Sequence, residues 1–113
     1  MGIGVHLIDE KCCGVPLIAN SYFDKAKENG KFNINSLKKA VEKTDNKIIS
    51  TSSTCLFAIK HEYPNVLDLD NSMISSHLEY ISEFIYKQFE QGNIPKMSNL
   101  HIKAVYHSPC HLE

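Results

Sequence analysis

The stretch Cys12-Cys13-Gly14-Val15-Pro16 decides the fold prediction for this chain. An apolar run at residues 5–8 precedes it and is typical of a short strand, while Pro16 suits the first turn of a helix. The pattern predicts two thiols at a helix N-terminus, where partial positive charge favours the thiolate form. Because adjacent cysteines are poorly placed to bond to each other, two interpretations are open: a metal or redox site, or two small packed side chains.

The alternation of strand and helix continues along the chain. Apolar residues spaced by three or four predict either one helix over residues 17–43 or two helices broken near Gly30, which would lie on the packed face of an unbroken helix. Further segments are predicted as strands over residues 47–51 and 101–107, and as helices over residues 55–61 and 76–91. We expect a single α/β domain over residues 1–113 with three layers, in which a mostly parallel, Rossmann- or flavodoxin-like sheet of at least three strands has helices on both faces.

Composition narrows the classes of function. The 113 residues carry a net charge of −1, and no run of basic residues suggests binding to nucleic acid. No stretch approaches the roughly 18 apolar residues of a membrane span, and the N-terminus does not resemble a signal peptide. The four cysteines are therefore expected in a reducing compartment, in metal or redox use rather than as a disulfide framework.

Each of the four cysteines follows a predicted strand. Cys12 and Cys13 come after the first strand, Cys55 after the second and Cys110 after the third. Sites in open parallel sheets form at the carboxyl ends of the strands, so we expect the four thiols to meet at one edge of the sheet. This placement favours a functional site over four independent packing residues.

Three segments together resemble the cysteine-rich CCG domain family. They are KCCGVPL at residues 11–17, TSSTC at residues 51–55 with EYP at residues 62–64, and VYHSPCH at residues 105–111. The family includes subunits of heterodisulfide reductase and of glycolate oxidase. The likeness covers almost the whole chain and is nearest to the branch found in anaerobic glycerol-3-phosphate dehydrogenases.

The resemblance implies an electron-transfer subunit of a quinone-linked oxidoreductase complex, with no catalytic group in this part of it. Such a subunit would take electrons from a flavin-bearing subunit that oxidises glycerol 3-phosphate and pass them toward membrane quinone. It would contact that flavin subunit and a second subunit of the complex, and it would lie in the cytoplasm, peripheral to the inner membrane. In the full-length protein it would carry an iron–sulfur cluster.

The family pattern has, in each repeat, one upstream cysteine, the CC pair and a downstream C-x-x-C. By this likeness Cys12, Cys13 and Cys55 are cofactor-binding metal ligands, and Cys110 is a metal ligand of the next repeat. The chain would thus cover most of one repeat and the first cysteine of its neighbour. It departs from the pattern because the upstream cysteine is missing and Ser52 stands at the first position of C-x-x-C. A cluster needs about four thiolates, so we expect no complete cluster within these 113 residues.

Other interpretations stay open. The chain is a cofactor-free docking module for partner subunits if Ser52 cannot serve as a ligand, because a hydroxyl is a poorer soft-metal ligand than a thiolate. A cysteine nucleophile with a histidine base is a further hypothesis. Another is a zinc site formed by Cys12, Cys13, Cys55 and either Cys110 or His107.

Overall fold

Two helices follow the cysteine pair in the computed structural model, which describes residues 1–112. They are α1 (Val15–Ala19) and α2 (Phe23–Thr44). The chain turns between them, where Ser21 has a φ of 63°, a left-handed conformation that interrupts a helix. The region predicted as helix over residues 17–43 is therefore two helices, but the break lies between α1 and α2, and Gly30 remains inside α2.

Short elements make up the rest of the described chain. The strands β1 (Ile48–Ser50) and β2 (Leu78–Tyr80) pair in parallel, with Ile48 opposite Leu78. The strands are joined by α3 (Ser53–Phe57), a π-helical turn (Ala58–Glu62), α4 (Tyr63–Asn65) and α5 (Ser72–Ser75), and β2 is followed by α6 (Ile81–Glu90) and a 3₁₀ turn (Cys110–Leu112). Within residues 1–112, no helix combines the length and the apolar composition needed to traverse a lipid bilayer.

The predicted Rossmann- or flavodoxin-like sheet of at least three strands, with helices on both faces, is wrong. Residues 1–112 contain one sheet, the parallel pair of β1 and β2, and residues 5–8 and 101–107 have no regular secondary structure. Val5 is 80% exposed and Val105 is 99% exposed. A strand forms where a neighbour satisfies its backbone N–H and C=O groups. The apolar and β-branched content of these two segments predicted strands, but content alone does not supply a neighbour.

The helix predicted over residues 76–91 is replaced by β2 and α6. Leu78 has the spacing of the apolar helical stripe, yet it is buried in β2, opposite Ile48. Glu79, which has the spacing of a capping box, is instead buried and forms an ion pair with Lys87 of α6. Pairing with β1 therefore overrides the helical spacing at the start of this segment.

One face of α2 forms the centre of the core. Gly30 lies on this face, and a Cβ built there would stand 2.6 Å from Cδ1 of Leu69 and 3.5 Å from Cζ of Tyr63. The missing side chain allows these two residues to approach α2. The core joins Ala26, Ile34, Leu37 and Val41 of α2 to Ala58, Tyr63, Leu67, Leu69 and Ile74.

Candidate functional site

Two asparagines of α2 hold the backbone that carries the cysteine pair. The Lys11 N–H donates to Oδ1 of Asn33 at 2.7 Å, and Nδ2 of Asn33 donates to the Lys11 carbonyl at 3.0 Å. The Cys12 carbonyl accepts from Nδ2 of Asn29 at 3.4 Å and from Nδ2 of Asn33 at 3.5 Å. Both asparagines are buried, so their amides are committed to this backbone and not to water.

Gly14 makes the turn from the cysteine pair into α1. Its φ of 98° lies in the left-handed region, and a Cβ built there would stand 3.4 Å from Cβ of Ala26. Glycine adopts this conformation without steric penalty. The turn therefore brings Cys13 against α2, where it packs on the core while remaining partly exposed.

Cys55 is placed by the N-terminus of α3, one short turn after β1. Ser52 is the N-cap of this helix, and its Oγ accepts a hydrogen bond from the Cys55 N–H at 3.3 Å. Ser50, the last residue of β1, donates from Oγ to the Ser52 carbonyl at 2.8 Å. The serine that stands at the first position of C-x-x-C is therefore already engaged in capping α3.

Cys13 and Cys55 come together in the fold although they are distant in sequence. Cys55 and Cys12 both act electrostatically on the Cys13 thiol, so the three thiols lie in one neighbourhood. Burial raises the pKa of Cys13 from 9.0 to about 12, and Cys55 adds to the rise, while a hydrogen bond from the Val15 backbone opposes it. The backbone at the start of α1 lowers the pKa of Cys13, as predicted for a helix N-terminus, but desolvation outweighs this contribution.

The buried phenol of Tyr63 lies beneath the cysteines. Tyr63 is fully buried, and its hydroxyl accepts a hydrogen bond from Nδ2 of Asn33 at 3.2 Å. Burial raises the pKa of Tyr63 from 10.0 to about 12, against the effect of the Asn33 hydrogen bond, and the three nearby cysteines add to the rise. Asn33 therefore connects the core tyrosine to the backbone of the cysteine pair.

The raised pKa of Tyr63 makes the stability of the chain sensitive to alkaline pH. The folded state keeps the phenol proton to a higher pH than the unfolded chain does, so this stabilisation is complete below pH 10 and is lost as pH rises through about 12. We expect the wild type to lose about 2 kcal/mol more than Tyr63→Phe between pH 10 and 12. Urea unfolding of both proteins across that interval measures the difference; parallel pH profiles would contradict it.

Cys110 lies on the 3₁₀ turn that packs against α3. The His111 ring stacks on Phe57 with centroids 4.6 Å apart, and its Nδ1 lies 3.3 Å from Oγ1 of Thr54. Cys110 itself is exposed, as is His107. Across residues 1–112, no group of three or more histidine, cysteine, aspartate or glutamate side chains is arranged to hold a metal ion.

The cysteine pair, its glycine turn and Cys55 all fall within a known family pattern. A family model described as the CCG cysteine-rich domain matches residues 1–60, a range that includes Cys12, Cys13 and Cys55. The chain belongs to the CCG cysteine-rich domain family. The resemblance drawn from the sequence is therefore confirmed for this CCG domain.

Two curated relatives show how this CCG domain compares with longer proteins. The chain is 44% identical over 114 residues to a subunit of the anaerobic glycerol-3-phosphate dehydrogenase of Escherichia coli K12, covering 100% of this chain and 29% of that protein. It is 30% identical over 107 residues to a subunit of the dihydromethanophenazine:CoB–CoM heterodisulfide reductase of Methanosarcina acetivorans, covering 92% of this chain and 25% of that protein. The chain spans less than a third of the length of either relative. No solved structure matches the chain.

Sequence reasoning missed the polar residues that support the CCG cysteines. Asn29 and Asn33 are one helical turn apart and lie among the apolar positions that form the buried stripe of α2. A polar side chain at such a position faces the core and needs partners there. That spacing was the available signal for both asparagines. Tyr63 was visible only as part of the EYP segment, which the sequence does not connect to Asn33.

Proposed function

We propose that this chain is part of an iron–sulfur subunit of an anaerobic glycerol-3-phosphate dehydrogenase. The subunit would relay electrons from a flavin-bearing subunit toward membrane quinone. The observation that supports this most is the meeting of Cys13 and Cys55, with Cys12 beside them, in a chain 44% identical to a subunit of such a dehydrogenase. The proposal extends to contacts with the flavin-bearing subunit and a second subunit, and to a cytoplasmic position peripheral to the inner membrane.

The donors of this chain fit an iron–sulfur cluster as a partial set. Cys12, Cys13 and Cys55 would supply three thiolates, the soft ligands that hold such clusters. When bound, a cluster supplies one-electron redox chemistry. A further ligand would come from elsewhere in the subunit, because the Ser52 hydroxyl is a poor soft-metal ligand and caps α3. In this proposal Cys110 serves the neighbouring repeat.

The remaining side chains of the site would orient the ligands and shield them. Asn29 and Asn33 hold the Cys12 carbonyl, and Gly14 turns Cys13 toward the core. Tyr63 and its apolar neighbours keep water from the inner side of the cysteines. Exclusion of water and hydrogen bonding around the ligands are the means by which a protein sets the reduction potential of a cluster.

Reconstitution of the subunit with iron and sulfide tests this function. Cys12→Ser and Cys55→Ser are each expected to abolish the visible absorbance and the iron and sulfide content of one cluster, because a hydroxyl replaces a thiolate ligand. Ser53→Ala, a change on α3 that removes no thiol, is the matched control and should retain the cluster. Unchanged iron and sulfide content in both cysteine variants would remove these residues from any cluster site.

A docking module without a cofactor is the second candidate, and the capping role of Ser52 favours it. The hydroxyl stabilises α3 in place of a thiol ligand, as expected of a repeat that has kept its fold without a metal. Under this alternative the cysteine variants keep the metal content of the subunit and lose assembly with its partners. Elemental analysis also distinguishes the zinc site from the other two candidates, because a zinc site requires about one equivalent of zinc for each chain.

A further inference from the structure

Asn29 and Asn33 are buried polar residues whose side-chain amides both hydrogen-bond to one short piece of backbone. Asn33 is 4% exposed and Asn29 is 7% exposed. A buried amide is destabilising unless it is hydrogen-bonded. Apart from Tyr63, the partners of these two side chains are the backbone groups of Lys11 and Cys12. The amides are therefore directed at the segment immediately before the CCG turn.

Asn33 holds Lys11 at two points. Its Oδ1 accepts from the Lys11 N–H at 2.7 Å and its Nδ2 donates to the Lys11 carbonyl at 3.0 Å. A planar amide that pairs with both backbone groups of one residue does what a neighbouring strand would do: it fixes the direction of the chain on both sides. Because Gly14 fixes the other side of the pair, the path of Cys12 and Cys13 is held at both ends.

Other contacts of Lys11 involve its exposed side chain. Its Nζ lies 4.9 Å from the centre of the Phe32 ring and 3.7 Å from Oε1 of Glu28. Exposed pairs of this kind contribute little and are screened by salt. The Asn33 amide, which pairs with both backbone groups of Lys11, is buried. This pairing restrains the backbone more strongly than the exposed contacts of the Lys11 side chain do.

We propose that Asn33 is the positioning residue of the cysteine pair, which sets the place of the Cys13 sulfur relative to Cys55 by fixing the backbone of Lys11 and Cys12. The inference rests on the proposed function, since these thiols are the ligands assigned there. This positioning effect of Asn33 is distinct from a contribution to the stability of the core, which any buried residue of α2 makes. Leu37, one turn further along α2, is also buried and is not a hydrogen-bonding partner of Lys11 or Cys12.

A trivalent arsenical measures the placement of the two sulfur atoms without a cluster. Phenylarsine oxide condenses with two thiols: two As–S bonds form, the As–O bond breaks, and the oxygen leaves as water with both thiol protons, with no change in oxidation state. The 113-residue chain is used with Cys12→Ser and Cys110→Ser, so that Cys13 and Cys55 are the remaining thiols. The reagent is then a probe of this one pair.

The background protein is expected to bind the arsenical one to one. Asn33→Ala is expected to weaken binding about tenfold, since its hydrogen bonds to the backbone of Lys11 and Cys12 are lost. Asn33→Asp, which keeps the acceptor for the Lys11 N–H but loses the donor to both carbonyls, should weaken it in the same direction without leaving a cavity. Leu37→Ala, a destabilising core change, should bind as the background does while circular dichroism shows that it is folded.

Several results would overturn the positioning role. These are full affinity in both Asn33 variants, an equal loss in Leu37→Ala and Asn33→Ala, or no binding to the background protein. Failure of the proposed function would be detected by a different measurement, the iron and sulfide content of the subunit. A subunit that takes up no iron and sulfide through Cys12 and Cys55 would remove that function, while the arsenical affinities would still report whether Asn33 places the thiols.

Discussion

Tyr63→Ala is expected to lower the free energy of unfolding by about 3–5 kcal/mol. Tyr63 is fully buried and packs against α2 at Gly30, with Leu69 beside it. Removing the ring leaves a cavity that these neighbours fill only in part. Domains of this size have about 5–15 kcal/mol of stability in total, so the loss is a large share. Urea titration followed by circular dichroism measures the change from the shift in midpoint.

Tyr63→Phe is the matched control for the ring. It keeps the packing and loses the hydrogen bond from Nδ2 of Asn33. We expect it to cost about 1 kcal/mol, because that nitrogen still donates to the Lys11 carbonyl. If Tyr63→Phe costs as much as Tyr63→Ala, the hydroxyl and not the ring is the main contribution. If neither variant shifts the midpoint, Tyr63 is not the core residue described here.

The order of elements placed each cysteine at the end of a predicted strand, and only part of that prediction matches the structure. Cys12 and Cys13 precede a helix after a glycine turn, and Cys55 opens α3 after β1. The sequence predicted all four thiols at the carboxyl ends of three parallel strands, and two of those strands do not form. Cys12, Cys13 and Cys55 are near one another for a different reason, which is the packing of the segments around α2 and α3, and Cys110 is exposed on the 3₁₀ turn.

The sheet could not be predicted correctly because pairing is a property of two segments. Residues 5–8 and 101–107 have the composition of strands, whereas Leu78–Tyr80 has the spacing of a helix. What decides between them is which segment pairs with β1, and in the structure that segment is β2. A single sequence carries propensity and period, but it does not report the partner of a strand.

The hydrogen bonds of Asn33 could not be predicted from the sequence, because each of them also depends on two distant segments. The stripe of α2 predicted which residues face the core, and Gly30 was correctly expected on that face if the helix was unbroken. The partners on the other side come from segments far along the chain. The Tyr63 hydroxyl and the backbone of Lys11 both hydrogen-bond to Asn33. Each partner is ordinary in sequence, and only the three-dimensional contact gives it a role.

Gly30→Val is expected to lower the free energy of unfolding by about 3 kcal/mol, at the upper end of the cost of overpacking. A Cβ at this position already stands 2.6 Å from Cδ1 of Leu69 and 3.5 Å from Cζ of Tyr63. Leu69 is a flexible side chain, so a single methyl group can be accommodated by its rotation. Gly30→Ala should therefore be milder, since better helix propensity offsets part of the clash by about 1 kcal/mol. Valine cannot avoid the clash in this way, because its side chain is branched at Cβ and its χ1 is restricted in a helix.

Lys31→Val is the matched control for Gly30→Val, because it places the same branched side chain at the next position of α2, which is exposed. It reports helix propensity alone, and a cost of about 0.5 kcal/mol is expected. Thermal and urea unfolding of both variants give the comparison. Equal stability of the two valine variants would show that Tyr63 and Leu69 do not close on α2 at Gly30.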